Sequence, residues 1–156
     1  MLKSEFKVTA MENKITIREC ALKDCESIYL LNKNDLGYDF PIEKTAERLE
    51  MILKSEKDKI FVAEYGGKVI GYIHACDYDV IYSPSMKNIL GLAVDSAYRK
   101  LGAGKALLTA AENWAKETGC AGVRLCSGAQ RKGAHEFYKK CGYICSKEQL
   151  NFKKHV

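Results

Sequence analysis

The run Arg99-Lys100-Leu101-Gly102-Ala103-Gly104, with Lys105 beyond it, sets two glycines and three cations between an apolar stretch that reads as a strand and a segment that reads as a helix. Glycines at such a junction give the backbone left-handed freedom and let a ligand approach the main chain. The first turn of the helix meanwhile presents N–H groups that have no partner within it. The ligand suited to this junction is an anion, and three surrounding cations favour a pyrophosphate over a single carboxylate. Spacing excludes a Walker loop: Gly104-Lys105 is followed by Ala106, not Ser or Thr, and position 99 holds Arg instead of the required earlier glycine. A dinucleotide fold is also disfavoured, because its GxGxxG follows the first strand, whereas this run lies in the second half of the chain and lacks the third glycine.

Other residues can move protons. Tyr138 carries a phenol whose ordinary pKa of about 10 makes it a neutral donor near pH 7. The competing reading is that Tyr138, Phe137 and Tyr143 pack a helix onto a sheet. His135 lies one helical turn before Tyr138, close enough to orient it or to sit as an exposed helix residue. His74 is followed closely by Asp77 and Asp79. The seven cysteines, at irregular spacing and without a CxxC, form no metal pattern and fit reduced thiols in a cytoplasmic protein.

Hydrophobic periodicity supplies the elements that must position these groups. Residues 15–20 alternate like a strand, and Leu22, Cys25, Ile28, Tyr29 and Leu31 predict a helix over about 22–33. Pro41 opens a second helix with a stripe of Ile42, Ala46, Leu49, Ile52 and Leu53. Two β-rich runs, 59–65 and 68–78, are joined by Gly66-Gly67, which suits a two-residue hairpin turn. Residues 88–94 form the next strand, where Gly91 marks a bulge or a close backbone approach. Leu107, Leu108, Ala111, Trp114 and Ala115 then make one face of a helix ended by Gly119. Residues 122–127 read as a short strand, 132–141 as a helix stopped at Gly142, and 143–154 as a closing strand pair. The expected architecture is α/β: a mixed, mostly antiparallel twisted sheet of about six to seven strands flanked by about four helices.

At 156 residues the chain is expected to form a single domain, with residues 1–12 as a flexible arm and Met11 as an alternative start. No apolar run approaches a membrane span and no secretory leader is visible, so a soluble cytoplasmic protein is expected. The net charge of +5 is uneven, with residues 1–80 at −3 and residues 81–156 at +8. A nucleic-acid partner is disfavoured by the lack of an Arg-rich arm or an aromatic-interleaved basic strand; a phosphate-rich ligand or solvated lysine faces account for the basic half.

The glycine run resembles the Arg/Gln-x-x-Gly-x-Gly/Ala loop of the GCN5-related N-acetyltransferases, and its surroundings resemble them too. Residues 90–108 are similar to that family's fourth strand, loop and third helix, and 122–127 to its fifth strand. Ala134 to Tyr143 matches its closing A-x-x-F-Y-x-x-x-G-F/Y signature. The resemblance implies parallel fourth and fifth strands that splay apart, with acetyl-CoA as co-substrate and no metal. It places the pantetheine along Leu92, Ala93 and Val94 and the pyrophosphate on Arg99, Lys100, Leu101, Gly102, Ala103, Gly104 and Lys105. Further coenzyme contacts fall at Ser127, Arg131 and Tyr138, and Tyr138 becomes the acid for the departing thiolate.

Two positions depart from the family pattern. Arg131 stands where asparagine is frequent, exchanging a hydrogen bond to the pantetheine for a charge near a phosphate. Asn88 stands where many members have a glutamate base. Deprotonation of the acceptor then runs through water held by Asn88, through His74, or through Asp77 or Asp79. In this fold Asp77, Tyr78, Asp79, Asp35, Tyr38 and Asp39 would line the acceptor entrance, and acids with aromatics favour a cationic amine. The implied function is direct acetyl transfer to a primary amine of a small molecule or a peptide. The alternative is an acyl-CoA sensor or interaction module with weak or no catalysis. Family members are often dimers, so a homodimer is a further implication.

Overall fold

The computed structural model describes residues 14–156; the expected amino-terminal arm and Met11 lie outside the described residues. The chain divides into two compact units at Leu125/Cys126. The first holds a five-stranded sheet in the order β1-β2-β3-β4-β5: β1 Thr16–Glu19, β2 Asp58–Tyr65, β3 Lys68–Tyr78, β4 Met86–Val94 and β5 Gly122–Leu125. The first three pairings are antiparallel and β4 runs parallel to β5.

Helices cover both faces of the sheet. On one side α1 (Cys25–Leu31) and α2 (Ile42–Leu53) supply Ile28, Leu31 and Leu49, which pack with Ile60, Val62, Tyr72 and Ala93. A 3-10 turn at Leu22–Asp24 precedes α1, and a π turn at Asn32–Leu36 extends it until Gly37 at φ 78° stops it. The other side carries α3 (Ala103–Glu117), which buries Leu107, Leu108, Ala111 and Trp114. Truncating Leu107 to alanine is expected to cost about 2–5 kcal/mol in urea unfolding, because the side chain is fully buried and would leave a cavity.

An ion pair fastens the 3-10 turn before α1 to the sheet. Arg18 donates two hydrogen bonds to Asp24, at 2.7 and 2.8 Å, and one to Glu64 at 2.9 Å, while Asp24 also accepts from the Ala21 N–H. The Arg18 guanidinium holds the Asp24 carboxyl below the usual carboxylate range. The folded state therefore binds this proton more weakly than the unfolded chain. The resulting stability is complete above the ordinary pKa of about 4 and is lost as pH falls through the lower folded value. Asp24→Asn is expected to lower stability by about 2 kcal/mol at pH 7, with the gap to wild type narrowing in urea titrations near pH 3.

The second unit, Cys126–Val156, contains α4 (Lys132–Lys140), ended by Gly142 at φ 90°. The expected closing strand pair is absent: residues 143–156 carry no strand, and Ile144, Leu150 and Phe152 are exposed. The alternating pattern is present there, but a strand exists only where a neighbouring backbone pairs with it. Among the described residues the sheet accordingly has five strands, not six or seven. None of the seven cysteines is in a disulfide, and the described residues contain no group of side chains that could hold a metal.

Candidate functional site

Strand β4 changes partners along its length. From Met86 to Ile89 it pairs with β5 on one edge, and that ladder then stops. On the other edge the register with β3 slips at the same point: Ala75 faces Ile89 and His74 faces Gly91, leaving Leu90 as a bulged, exposed residue. The bulge expected near Gly91 is thus one position earlier. Residues 90–94 keep β3 on one side and have no strand on the other among the described residues, so the expected positions Leu92, Ala93 and Val94 lie along an open backbone edge.

That edge leads into the glycine turn. Asp95 accepts the Ala97 N–H at 2.9 Å and caps the turn Ser96–Tyr98, and Tyr98 packs edge-on against Tyr65. Asp35 from the π turn accepts the Ser96 N–H at 3.0 Å and lies 3.6 Å from Arg99, tying the turn to the opposite helical layer. Lys100 at φ 70° and Gly102 at φ 88° then swing the chain into α3. The helix begins with no side-chain cap and no acidic residue in its first turn. Its first N–H groups, at Ala103, Gly104 and Lys105, therefore remain for an anion. Arg99, Lys100, Leu101 and Lys105 are exposed around them, while Ala103 is buried. A groove of about 490 Å³ starts at Gly102 and Lys105 and follows α3 to Asn113, on the α3 face of the sheet.

The polar residues of the opposite face surround the bulge. Tyr72 donates its hydroxyl to Asn32, and a Cβ at Gly91 would fall 3.2 Å from that hydroxyl. His74 Nε2 lies 2.7 Å from Asp58 Oδ1. Asn88 accepts a 2.6 Å hydrogen bond from Arg124, whose guanidinium stacks 4.3 Å from the Tyr78 ring. Asn88 is the cross-strand neighbour of Cys76, a thiol that burial pushes above its usual pKa. The acids expected at the acceptor entrance are already engaged: Asp77 with Lys87 at 2.5 Å, Asp79 with Ser85 at 2.6 Å, and Asp39 with Lys33 at 3.9 Å. Lys87 is buried, with its ammonium 3.7 Å from the Trp114 ring.

In the second unit, α4 is preceded by Arg131 at its N-terminal boundary, and Ser127 is half-buried. His135 Nε2 lies 2.8 Å from the Gly128 carbonyl, so this histidine anchors the segment leading into α4. Tyr138 packs edge-on between Phe137 and Tyr143, and burial pushes its phenol above the ordinary range, with Arg131 opposing. It is protonated at neutral pH and able to donate.

Asp58, Ser55, Lys87 and Arg124 escaped the sequence reading. None belongs to a motif: register sets Asp58 and Arg124 on the face of the bulge, the turn after α2 brings Ser55 to Asp58, and Lys87 lies on the other face against Trp114.

A mixed sheet whose fourth strand bulges, parts from its parallel neighbour and ends at an uncapped glycine turn is the acyl-CoA N-acyltransferase architecture. A family model described as Acetyltransferase (GNAT) family matches residues 25–143, and the chain belongs to this family of acetyl-CoA-dependent acyltransferases. It is 32% identical over 124 residues to the uncharacterized N-acetyltransferase YhdJ of Bacillus subtilis, covering 79% of this chain and 86% of that one. It is 36% identical over 95 residues to the uncharacterized N-acetyltransferase MJ1207 of Methanocaldococcus jannaschii, covering 59% of this chain but 42% of that longer relative. A solved transcriptional regulator from Bacillus halodurans C-125 is similar with a TM-score of 0.80 and 27% identity, covering 90% of this chain and 100% of that one. AAC(6')-Iy in complex with the bisubstrate analog CoA-S-monomethyl-acetylneamine is similar in fold with a TM-score of 0.82 at 20% identity, covering 92% and 100%. No helix among the described residues is long and apolar enough to cross a membrane.

Proposed function

We propose that the protein transfers acetyl from acetyl-CoA directly to a primary amine of a small molecule or a peptide, in a single domain built from both units. The observation that carries this reading is the continuity of the open β4 edge, residues 90–94, with the uncapped glycine turn and its exposed cations. An extended pantetheine can add to the edge as a strand would, and the pyrophosphate then meets the N–H groups of Ala103 to Lys105. The match of the family over residues 25–143 runs across both units and supports one domain. Tyr138 serves as acid for the thiolate, and Ser127 and Arg131 contribute to coenzyme binding.

A small cationic acceptor has the support that AAC(6')-Iy, a structural relative, was solved with an aminoglycoside-type bisubstrate analog. Against a strongly cationic acceptor stands the pairing of Asp77 with Lys87 and of Asp39 with Lys33, which leaves less uncompensated negative charge at the entrance. The second reading, an acyl-CoA sensor, draws support from Asn88, which cannot accept a proton and is held by Arg124, and from the regulator among the structural relatives.

Thermal unfolding with and without acetyl-CoA, followed by free-thiol release with a panel of amines, tests both. Coenzyme at a hundred times its Kd is expected to stabilise the fold by about 2.7 kcal/mol, raising Tm by roughly 5–10 °C. Thiol release with one amine class establishes the transferase. A shift without turnover favours the sensor, and no shift rejects the coenzyme site.

A further inference from the structure

A hydrogen-bonded relay leads from the turn after α2 to His74. The Lys57 N–H donates to Ser55 Oγ at 3.2 Å, so the Ser55 hydroxyl is free to donate its own proton, and it does so to Asp58 Oδ2 at 2.8 Å. The other carboxylate oxygen, Oδ1, faces His74 Nε2 at 2.7 Å. A carboxylate only accepts, so Nε2 carries the proton and the neutral ring keeps its lone pair on Nδ1. Among the described residues no buried side-chain nitrogen or oxygen lacks a partner, and Nδ1 has none there, so Nδ1 reaches solvent. The cross-strand neighbour of His74 on β4 is Gly91, which has no side chain to cover the ring and adjoins both the bulge and the open edge.

We propose that Ser55 and Asp58 are positioning residues that hold His74 in the tautomer whose Nδ1 takes the proton of the acceptor ammonium. This rests on the acetyltransferase reading above and supplies the base that Asn88 cannot. The ammonium gives one proton to Nδ1, and the neutral amine attacks the thioester carbonyl. The C–N bond forms and the C–S bond breaks with its electron pair on sulfur. Tyr138 protonates the thiolate and is reprotonated by the second proton lost from nitrogen, while the proton on His74 returns to solvent. The Asp58 carboxylate compensates the imidazolium while it exists. The polar and ionisable groups on the face around His74 include Asp58 from β2, Tyr72, Cys76 and Tyr78 from its own strand, Asn88 with Arg124 from β4 and β5, and Cys20 beside Ile60. The turn after α2 adds Ser55.

Asp58→Asn tests the relay. Ser55 would still donate to the oxygen of the new amide, turning its NH2 toward Nε2, which must then accept and move the ring proton to Nδ1. The expected result is a fall in kcat of about 10²-fold or more, with KM for acetyl-CoA nearly unchanged. Ser55→Ala, a milder change that keeps the carboxylate, is expected to give a smaller fall. Nitrogen-15 spectra provide the second readout, and His74→Asn assigns the ring signal among the chain's three histidines. Wild type is expected to show a protonated Nε2 and bare Nδ1, and Asp58→Asn the reverse. A wild-type ring protonated on Nδ1, or an Asp58→Asn protein that folds and turns over at the wild-type rate, overturns the relay. An absence of turnover in wild type would count against the acetyltransferase reading alone, since the tautomer is read without catalysis.

Discussion

Gly102→Asp is expected to remove acetyl-CoA binding while leaving the domain folded. The glycine sits at φ 88°, and no atom lies within 4 Å of where a Cβ would point, so the structural cost is backbone strain of about 1–2 kcal/mol. The functional cost is larger. A carboxylate here would take the N–H groups at the start of α3 and the charge of Arg99, Lys100 and Lys105 for itself. It would also repel a pyrophosphate by roughly 4 kcal/mol at 4 Å in a half-solvated site. Kd is expected to rise about 10²- to 10³-fold. Gly102→Ala separates the two effects, because it carries the strain without the charge. An acetyl-CoA thermal shift in Gly102→Asp equal to that of wild type removes this turn from the coenzyme site.

Tyr138→Phe is expected to lower kcat by about 10²-fold with little change in coenzyme affinity. The ring contacts with Phe137 and Tyr143 survive the substitution, so packing of α4 is retained and the proton alone is lost. Burial holds the phenol above its ordinary range. An acid works only while protonated, so on its account kcat falls as pH rises through a value above about 10, and it contributes no limb near neutrality. A variant with wild-type kcat at saturating amine takes Tyr138 out of the mechanism and returns it to packing.

Much of the scaffold was readable because it depends on local chemistry. Pro41 opening α2, Gly66-Gly67 joining β2 to β3, the apolar face of α3 and Gly142 ending α4 all act within a turn or two of their own position. The glycine run was legible for the same reason: left-handed dihedrals and an uncapped helix start are properties of a short segment. The closing strand pair failed because alternation in residues 143–154 describes a segment able to pair, whereas pairing needs another backbone beside it.

The candidate base depended on register, which is not local. Counting outward from the hairpin turn, Tyr65 faces Lys68, and an uninterrupted ladder would set Asp58 opposite Ala75 and His74 opposite Lys59. Asp58 and His74 would then point to opposite faces of the sheet. The ladder instead slips at Ala63/Glu64, leaving Ile70 as an extra residue in β3, so that Asp58 faces Cys76 and shares the face of His74. The sequence alone thus determined the glycine turn with its uncapped helix start, the order of the elements and the presence of Tyr138. The tertiary structure decided which polar side chains share a face, because a single inserted residue reverses every side chain beyond it, and the packing of the whole sheet selects where that residue goes.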